Sequence, residues 1–181
     1  MKRLDDNYST PELGLGLGVS VKTTNFPDKS KKSAFYTHNL TRIDGELRAE
    51  AMDHHERQPY SVLVGILFLP WAACDDHRPG GQSQGAQGSS FCLAVNHFRK
   101  RSGRKDPVGM ISRFERFYVA LYDGGDPGVL PTRFFDVDDD KAPPRARRLR
   151  DDEGLSFDQL CDAIRNAFED RNRSKFTALD D

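Results

Sequence analysis

The sequence predicts an α/β protein in which a mixed β-sheet is flanked by helices on both faces. Three segments carry this prediction: alternating residues 13–24, amphipathic residues 38–57 and the apolar run 60–69. A strand, a helix and a second strand in this order are typical of a right-handed crossover between parallel strands. The chain has 181 residues, enough for one domain with a buried core. We therefore expect a single domain over residues 1–181.

The first of these segments alternates between two kinds of side chain. In residues 13–22 the odd positions are Leu or Val, and the even positions are Gly, Ser20 and Lys22. A period of two indicates a β-strand. The face that carries only Gly, Ser and Lys leaves room for another group to approach closely. The repeated Gly-x-Gly lies inside the strand rather than after it, so it does not predict a phosphate-binding loop.

The following segments complete the predicted α/β pattern. Residues 38–57 have an apolar stripe at helical spacing, and Pro59 ends the helix. Residues 60–69 are apolar on both faces, as expected of a central strand in a covered sheet. We expect shorter strands at 91–95, 117–122 and 134–137, and a last helix capped by Ser156. Residues 79–90 consist mostly of Gly, Gln and Ser and predict a flexible internal loop.

Charge and cysteine content limit the partners and the compartment. The net charge of −1 provides no global attraction to nucleic acid, so contacts with DNA would depend on local basic patches. Three cysteines without a Cys-x-x-Cys pair, and no signal-peptide pattern, favour a cytoplasmic protein. The longest apolar run is about half a membrane span, so we expect no membrane partner.

Lys22 is the candidate functional residue of the first strand. A buried ammonium group needs an anionic partner or a task that compensates for its lost hydration. One such task is to hold a scissile phosphate, or to orient a water, beside a metal ion. The helix that follows offers Glu46, Glu50 and Asp53 as carboxylates on neighbouring turns. The alternative is that Lys22 ends an edge strand and extends its amine into solvent.

Ser20-Val21-Lys22 followed by Glu46 resembles the PD-(D/E)XK nuclease superfamily. More specifically, the pattern resembles the type II restriction endonucleases that carry Ser-x-Lys on the strand and a metal-binding carboxylate on the following helix. It covers about residues 13–70. It implies a restriction-endonuclease-like fold and a metal-dependent endonuclease, of restriction or defence type, that cleaves DNA. It further implies that Lys22, Glu46 and Ser20 form the catalytic site, and that Glu46 and an upstream acid hold Mg²⁺, for which Mn²⁺ can substitute.

The N-terminal part of the chain departs from this family pattern. The chain begins 19 residues before Ser20, so we expect a copy of the family core that is shortened at its N terminus. Asp6 is our choice for the upstream metal ligand, provided that residues 5–10 form a short strand that turns at Pro11. Glu12 is expected to lie too close to Ser20 to permit a hairpin. The segment between Lys22 and Glu46 is also longer than the resemblance implies.

The basic residues after the middle of the chain are candidates for binding the DNA backbone. We assign phosphate contacts to Arg99, Lys100, Arg101 and Arg104, because several cations in one loop can follow a line of phosphates. The alternative is an ordinary solvated loop. A homodimer or a separate partner subunit is compatible with this assignment.

A second function remains open at this point. The chain could keep the nuclease fold without an active metal site and act as a nucleic-acid-binding or interaction module. The position of the carboxylates around Lys22 distinguishes this alternative from an endonuclease.

Overall fold

A computed structural model describes residues 6–10, 14–24, 36–37, 39–76, 88–123, 130–139, 150 and 152–176 of the chain, and it describes no side chains for 6–10, 14–15 and 172–176. The strands in these ranges are β1 (Asp6–Thr10), β2 (Gly14–Thr23), β3 (Val62–Pro70), β4 (Arg116–Tyr122) and β5 (Arg133–Asp136). The helices are α1 (Leu40–Arg57), α2 (Ser90–Phe98) and α3 (Phe157–Phe176). Short 3₁₀ turns follow β3 (Trp71–Cys74) and α2 (Arg99–Arg101).

The five strands form one mixed sheet in the order β1-β2-β3-β4-β5. The central strands β2, β3 and β4 are parallel, and the edge strands β1 and β5 are antiparallel to their neighbours. α1 connects β2 to β3, which confirms the predicted strand–helix–strand unit. The predicted α/β class with a mixed sheet and flanking helices is confirmed at this level.

Helices cover both faces of the sheet and create two apolar layers. On one face, α1 and α2 pack against side chains such as Leu63, Leu67 and Phe117. On the other face, Leu160 and Ile164 of α3 pack against Val64 and Ile66. Because β3 is buried on both faces, its sequence is apolar at nearly every position.

β2 differs from the perfectly alternating strand of the prediction at one residue. Consecutive residues Tyr8 and Ser9 of β1 pair with Leu17 and Leu15, so Gly16 has no partner in the register. Such a bulge is favoured at glycine. An added Cβ on Gly16 would lie 3.0 Å from the Phe168 ring of α3. The bulge therefore coincides with a close approach between β2 and α3.

The prediction of a strand at residues 91–95 is wrong, because this segment belongs to α2. The Ser89 hydroxyl accepts a hydrogen bond from the Cys92 backbone N–H at 3.3 Å and caps the helix. A five-residue apolar run has no periodicity that separates a strand from a buried helix. Ser90, the last residue of the predicted flexible loop 79–90, is thus the first residue of α2. Residues 79–87 lie outside the described residues.

The other predicted elements agree with the fold. Strands were expected at 117–122 and 134–137, and the structure has β4 and β5 there. The Ser156 hydroxyl accepts from Gln159 N at 3.2 Å, and Gln159 accepts from Ser156 N at 2.8 Å, which forms a capping box at the start of α3. In the described part of the chain, no helix is both long and apolar enough to cross a membrane.

Candidate functional site

The crossover from β2 to α1 brings Ser20, Lys22 and Glu50 into direct contact. The Ser20 hydroxyl donates to Glu50 Oε2 at 2.6 Å. Lys22 Nζ donates to Glu50 Oε1 at 2.8 Å. One carboxylate therefore engages two side chains that stand two residues apart on β2. This arrangement confirms that Ser20 and Lys22 lie on the same side of the sheet.

The contact lies at the boundary between the core and solvent. The Lys22 side chain is 20% exposed, whereas that of Glu50 is 6% exposed. Ser20 is buried. A ligand from solvent would therefore meet the Lys22 amine first, with the carboxylate behind it. β1 pairs with β2 only as far as Val19, so among the described residues β2 is paired at Lys22 with β3 alone. The Lys22 amine contacts Glu50 rather than extending freely into solvent.

The carboxylate at Lys22 is Glu50, which corrects our choice of Glu46. Glu46 Oε1 accepts from Arg42 at 2.7 Å, in an ion pair with the residue one helical turn earlier on α1. The Arg42 side chain is 59% exposed. We chose Glu46 because it is nearer the start of the helix. Glu46 and Glu50 lie one turn apart on neighbouring positions of the same helix side, so the position along the helix axis places Glu50 at Lys22.

A signal for Glu50 is present in the sequence. Ile43, Leu47, Glu50 and His54 are buried and are spaced by four, three and four residues. This spacing is that of a helix face that packs on a core. Glu50 thus occupies a core position of the apolar stripe, and a carboxylate at such a position requires a partner.

The upstream acid Asp6 lies on the predicted short strand, which is β1. β1 forms a hairpin with β2, and Asp6 pairs with Val19. The side chains of β1 are outside the described part of the structure, so the role of Asp6 as a metal ligand stays a prediction. Glu12, which we expected to be too close to Ser20 for a hairpin, lies outside the described residues between the two strands.

A carboxylate with a neighbouring hydroxyl is a suitable set of donors for a hard cation. Mg²⁺ prefers oxygen ligands and is often held by one or two carboxylates together with substrate phosphates and waters. Glu50 meets this requirement, since each of its oxygens can accept more than one contact. Within the described residues, no group of three or more His, Cys, Asp or Glu side chains could hold a metal ion.

The four predicted phosphate-binding cations have different environments. Arg104 is only 2% exposed, and its Nη1 donates to Glu115 at 2.6 Å. A buried guanidinium cannot reach a DNA backbone, so Arg104 is corrected to a structural residue. The Arg99 side chain donates to the carbonyls of Val137 and Asp139. Lys100 is exposed and remains a candidate for phosphate contact.

Arg101 and Lys100 share a buried carboxylate on α1. Asp44 accepts two hydrogen bonds from Arg101, at 2.5 and 3.2 Å, and lies 3.0 Å from Lys100 Nζ. Burial acts to raise the pKa of Asp44, but the hydrogen bonds and charges of Arg101 and Lys100 outweigh it and lower the pKa to about 2. His97 Nε2 lies 3.4 Å from the same carboxylate. The cluster carries more positive than negative charge.

A third buried carboxylate, Glu115, lies at the opposite end of the parallel strands. It accepts hydrogen bonds from Leu63 N at 2.8 Å, Arg104 at 2.6 Å and Arg171 at 2.9 Å. His55 Nε2 is 3.4 Å away. Burial acts to raise the pKa of Glu115, but the hydrogen bonds from His55 and Leu63 lower it below its usual range. This network connects structural elements and is separate from the contact at Lys22.

Comparison with protein families, with curated proteins and with solved structures gives no match for this chain. Any functional assignment consequently depends on the site itself.

Proposed function

We propose that the protein is a metal-dependent endonuclease that hydrolyses DNA phosphodiester bonds through Lys22, Glu50 and Ser20. The observation that carries this proposal is that Ser20 and Lys22 of a central parallel strand both contact one buried carboxylate of the following helix. This combination agrees with what the resemblance to Ser-x-Lys nucleases implies, with Glu50 in place of Glu46. We propose in addition that the sheet and its flanking helices form a restriction-endonuclease-like fold.

Each residue has a distinct task in this proposal. Glu50 would hold Mg²⁺, or Mn²⁺ in its place, which activates the attacking water and neutralises phosphate charge when bound. Lys22 keeps its proton on Nζ and stabilises the negative charge that develops on the phosphate oxygens. Ser20 fixes the orientation of Glu50 through its hydroxyl. The water oxygen forms a bond to phosphorus as the bond to the leaving sugar oxygen breaks, and that oxygen takes up a proton.

DNA is the proposed partner, and Lys100 is the most exposed of the four cations assigned to its backbone. A homodimer or a partner subunit would extend the contact surface. We keep the cytoplasm as the predicted location.

A second candidate is a non-catalytic nucleic-acid-binding module. It is favoured by the fact that both oxygens of Glu50 already accept hydrogen bonds from Ser20 and Lys22. A carboxylate neutralised in this way can act as a structural ion pair without a metal. The two candidates differ in whether the chain cleaves DNA.

Nicking of supercoiled plasmid in Mg²⁺ tests the proposal. We expect Lys22→Ala and Glu50→Gln each to reduce the nicking rate by about 10²-fold or more, because each removes a contact to transition-state charge. Glu46→Gln is the matched control on the same helix and should retain the activity of the unmodified chain. Circular dichroism should show that all variants are folded.

The outcomes separate the two candidates. Nicking that persists in both Lys22→Ala and Glu50→Gln would refute the proposed site. A folded chain that never nicks DNA, but binds it with strong salt dependence, would favour the non-catalytic module.

A further inference from the structure

The Thr24 side chain carries a hydroxyl group that is buried at the end of β2. Thr24 is 3% exposed, and among the described residues no group forms a hydrogen bond with its Oγ1. A buried hydroxyl without a partner destabilises the folded protein, because it loses its hydrogen bonds to water without replacement. Such groups are uncommon in native proteins, and each calls for a physical explanation such as backbone strain, a catalytic role or a bound water or ion.

The position of this hydroxyl in the sheet relates it to Lys22. Thr24 N donates to Phe68 O at 3.4 Å, so the ladder between β2 and β3 continues one residue beyond Thr23. Because side chains alternate along an extended strand, Ser20, Lys22 and Thr24 share one face. The separation between Cα atoms of residues two apart is about 6.6 Å.

The location also matches where parallel sheets bind ligands. Thr24 stands just past the carboxyl end of β2, next to the end of the parallel strand β3. In open α/β sheets, ligands bind outside the carboxyl ends of the strands. Lys22, two residues before Thr24, has a partly exposed side chain whose amine contacts Glu50.

We propose that Lys22 Nζ and Thr24 Oγ1 together bind a phosphate group at the carboxyl end of β2. Lys22 supplies the charge, and Thr24 donates its hydroxyl proton to a second phosphate oxygen. Ser20 does not take part directly, because its hydroxyl is already donated to Glu50. The inference deepens the proposed function, on which it rests, by assigning Thr24 as a binding residue for the substrate phosphate.

Titration of the isotope-labelled chain with inorganic phosphate, followed by amide NMR shifts, tests this inference without catalysis. We expect saturable shifts at residues 22–24. Thr24→Val, which preserves shape but removes the hydroxyl, should raise the dissociation constant about tenfold, as expected for a lost hydrogen bond to a charged group. Thr24→Ser should restore binding to within about threefold.

Thr23→Val is the matched control, since Thr23 is exposed on the other face and its hydroxyl donates to Thr24 O. It should leave phosphate binding unchanged. Thermal unfolding adds a second readout: Thr24→Val removes an unpaired hydroxyl and should not lower the melting temperature.

Unchanged phosphate binding in Thr24→Val, or a lower melting temperature with intact binding, would overturn the inference. Absence of saturable shifts in the unmodified chain would overturn it as well. If phosphate binds through Thr24 but the chain does not nick DNA, the endonuclease proposal fails and the phosphate site stands.

Discussion

Glu50 shows how a single buried carboxylate can orient two polar side chains of a neighbouring strand. Its two oxygens hold Ser20 and Lys22 at 2.6 and 2.8 Å, so their donor atoms are oriented before any ligand arrives. Preorganised charges of this kind act more strongly than mobile ones, because they need no reorganisation during a reaction. The same contacts offset the free-energy cost of burying the Glu50 carboxylate.

His54 is the residue at which protonation opposes folding. Ser61 donates its hydroxyl proton to Gln58 O at 2.8 Å, so His54 Nε2, 2.5 Å from Ser61 Oγ, acts as the donor to it. Burial, together with the nearby His55, lowers the pKa of His54 to about 4. The folded protein therefore contains neutral His54 at physiological pH.

We expect His54 to make the protein sensitive to acid between pH 6.5 and 4. A folded pKa below the unfolded value means that the unfolded chain binds the proton first, so stability declines as the pH falls through this window. The full difference is about 3 kcal/mol at pH 4. In urea unfolding at a series of pH values, His54→Gln should flatten this decline. A slope equal to that of the unmodified chain would contradict the assignment.

Asp44 contributes in a different pH range. Its folded pKa of about 2 is below its ordinary value of 3.8, so its stabilisation is present above about pH 4 and is lost as the pH falls toward 2. The free energy of unfolding should therefore decline over two adjoining pH ranges, from about 6.5 to 4 through His54 and from about 4 to 2 through Asp44.

At the scale of the elements, close packing of β3 on β4 depends on Gly65. A Cβ at this position would overlap the ring of Phe117, which stacks on Phe98 of α2. The sequence marks Gly65 only as an interruption in an apolar strand. Its role follows from the position of Phe117, which pairs with Gly65 on the neighbouring strand β4.

Gly65→Ala should lower the free energy of unfolding by about 1–3 kcal/mol, because the added methyl group overpacks the core. Gly45→Ala in α1 is the matched change, since no atom lies within 4 Å of its added Cβ. It should raise stability by up to about 1 kcal/mol through helix propensity. Urea denaturation measures both. Equal effects of the two substitutions would show that packing at Gly65 is not limiting.

At the scale of the whole molecule, Glu115 joins elements that are distant in sequence. Arg104 and Arg171 bind its Oε1, and Leu63 N and His55 approach its Oε2. The carboxylate thus connects α1, β3, the segment before β4 and α3. Arg171 also donates to the Arg104 carbonyl at 3.2 Å, which fixes the last part of α3 to the same network.

Glu115→Gln should destabilise the protein by about 3–5 kcal/mol, because it leaves buried guanidinium groups without a counter-charge. Asp53→Asn is the control: Asp53 pairs with Arg57 on the surface of α1, and both side chains are about half exposed. An exposed pair of this kind contributes about 0–1 kcal/mol. Thermal unfolding at neutral pH compares the two. A small effect of Glu115→Gln would mean that the network is not structural.

Local patterns in the sequence were sufficient for the strand–helix–strand unit and for the shared face of Ser20 and Lys22. Both depend on neighbours two to four residues apart, which lie within the reach of strand and helix periodicity. Ser156 likewise marks the start of α3 through contacts within one turn. The apolar stretch of α2 was too short for its period to be recognised, so its helix was missed.

Tertiary packing alone decided which groups meet Lys22 and which cations remain available. Glu50 is 28 residues from Lys22 along the chain, and the packing of α1 on the sheet brings the two side chains together. Arg104 lies in the same basic stretch as Lys100, yet it is buried against Glu115 while Lys100 faces solvent. Sequence periodicity identifies the faces of each element, but contacts between elements depend on how their faces pack together, which no local pattern encodes.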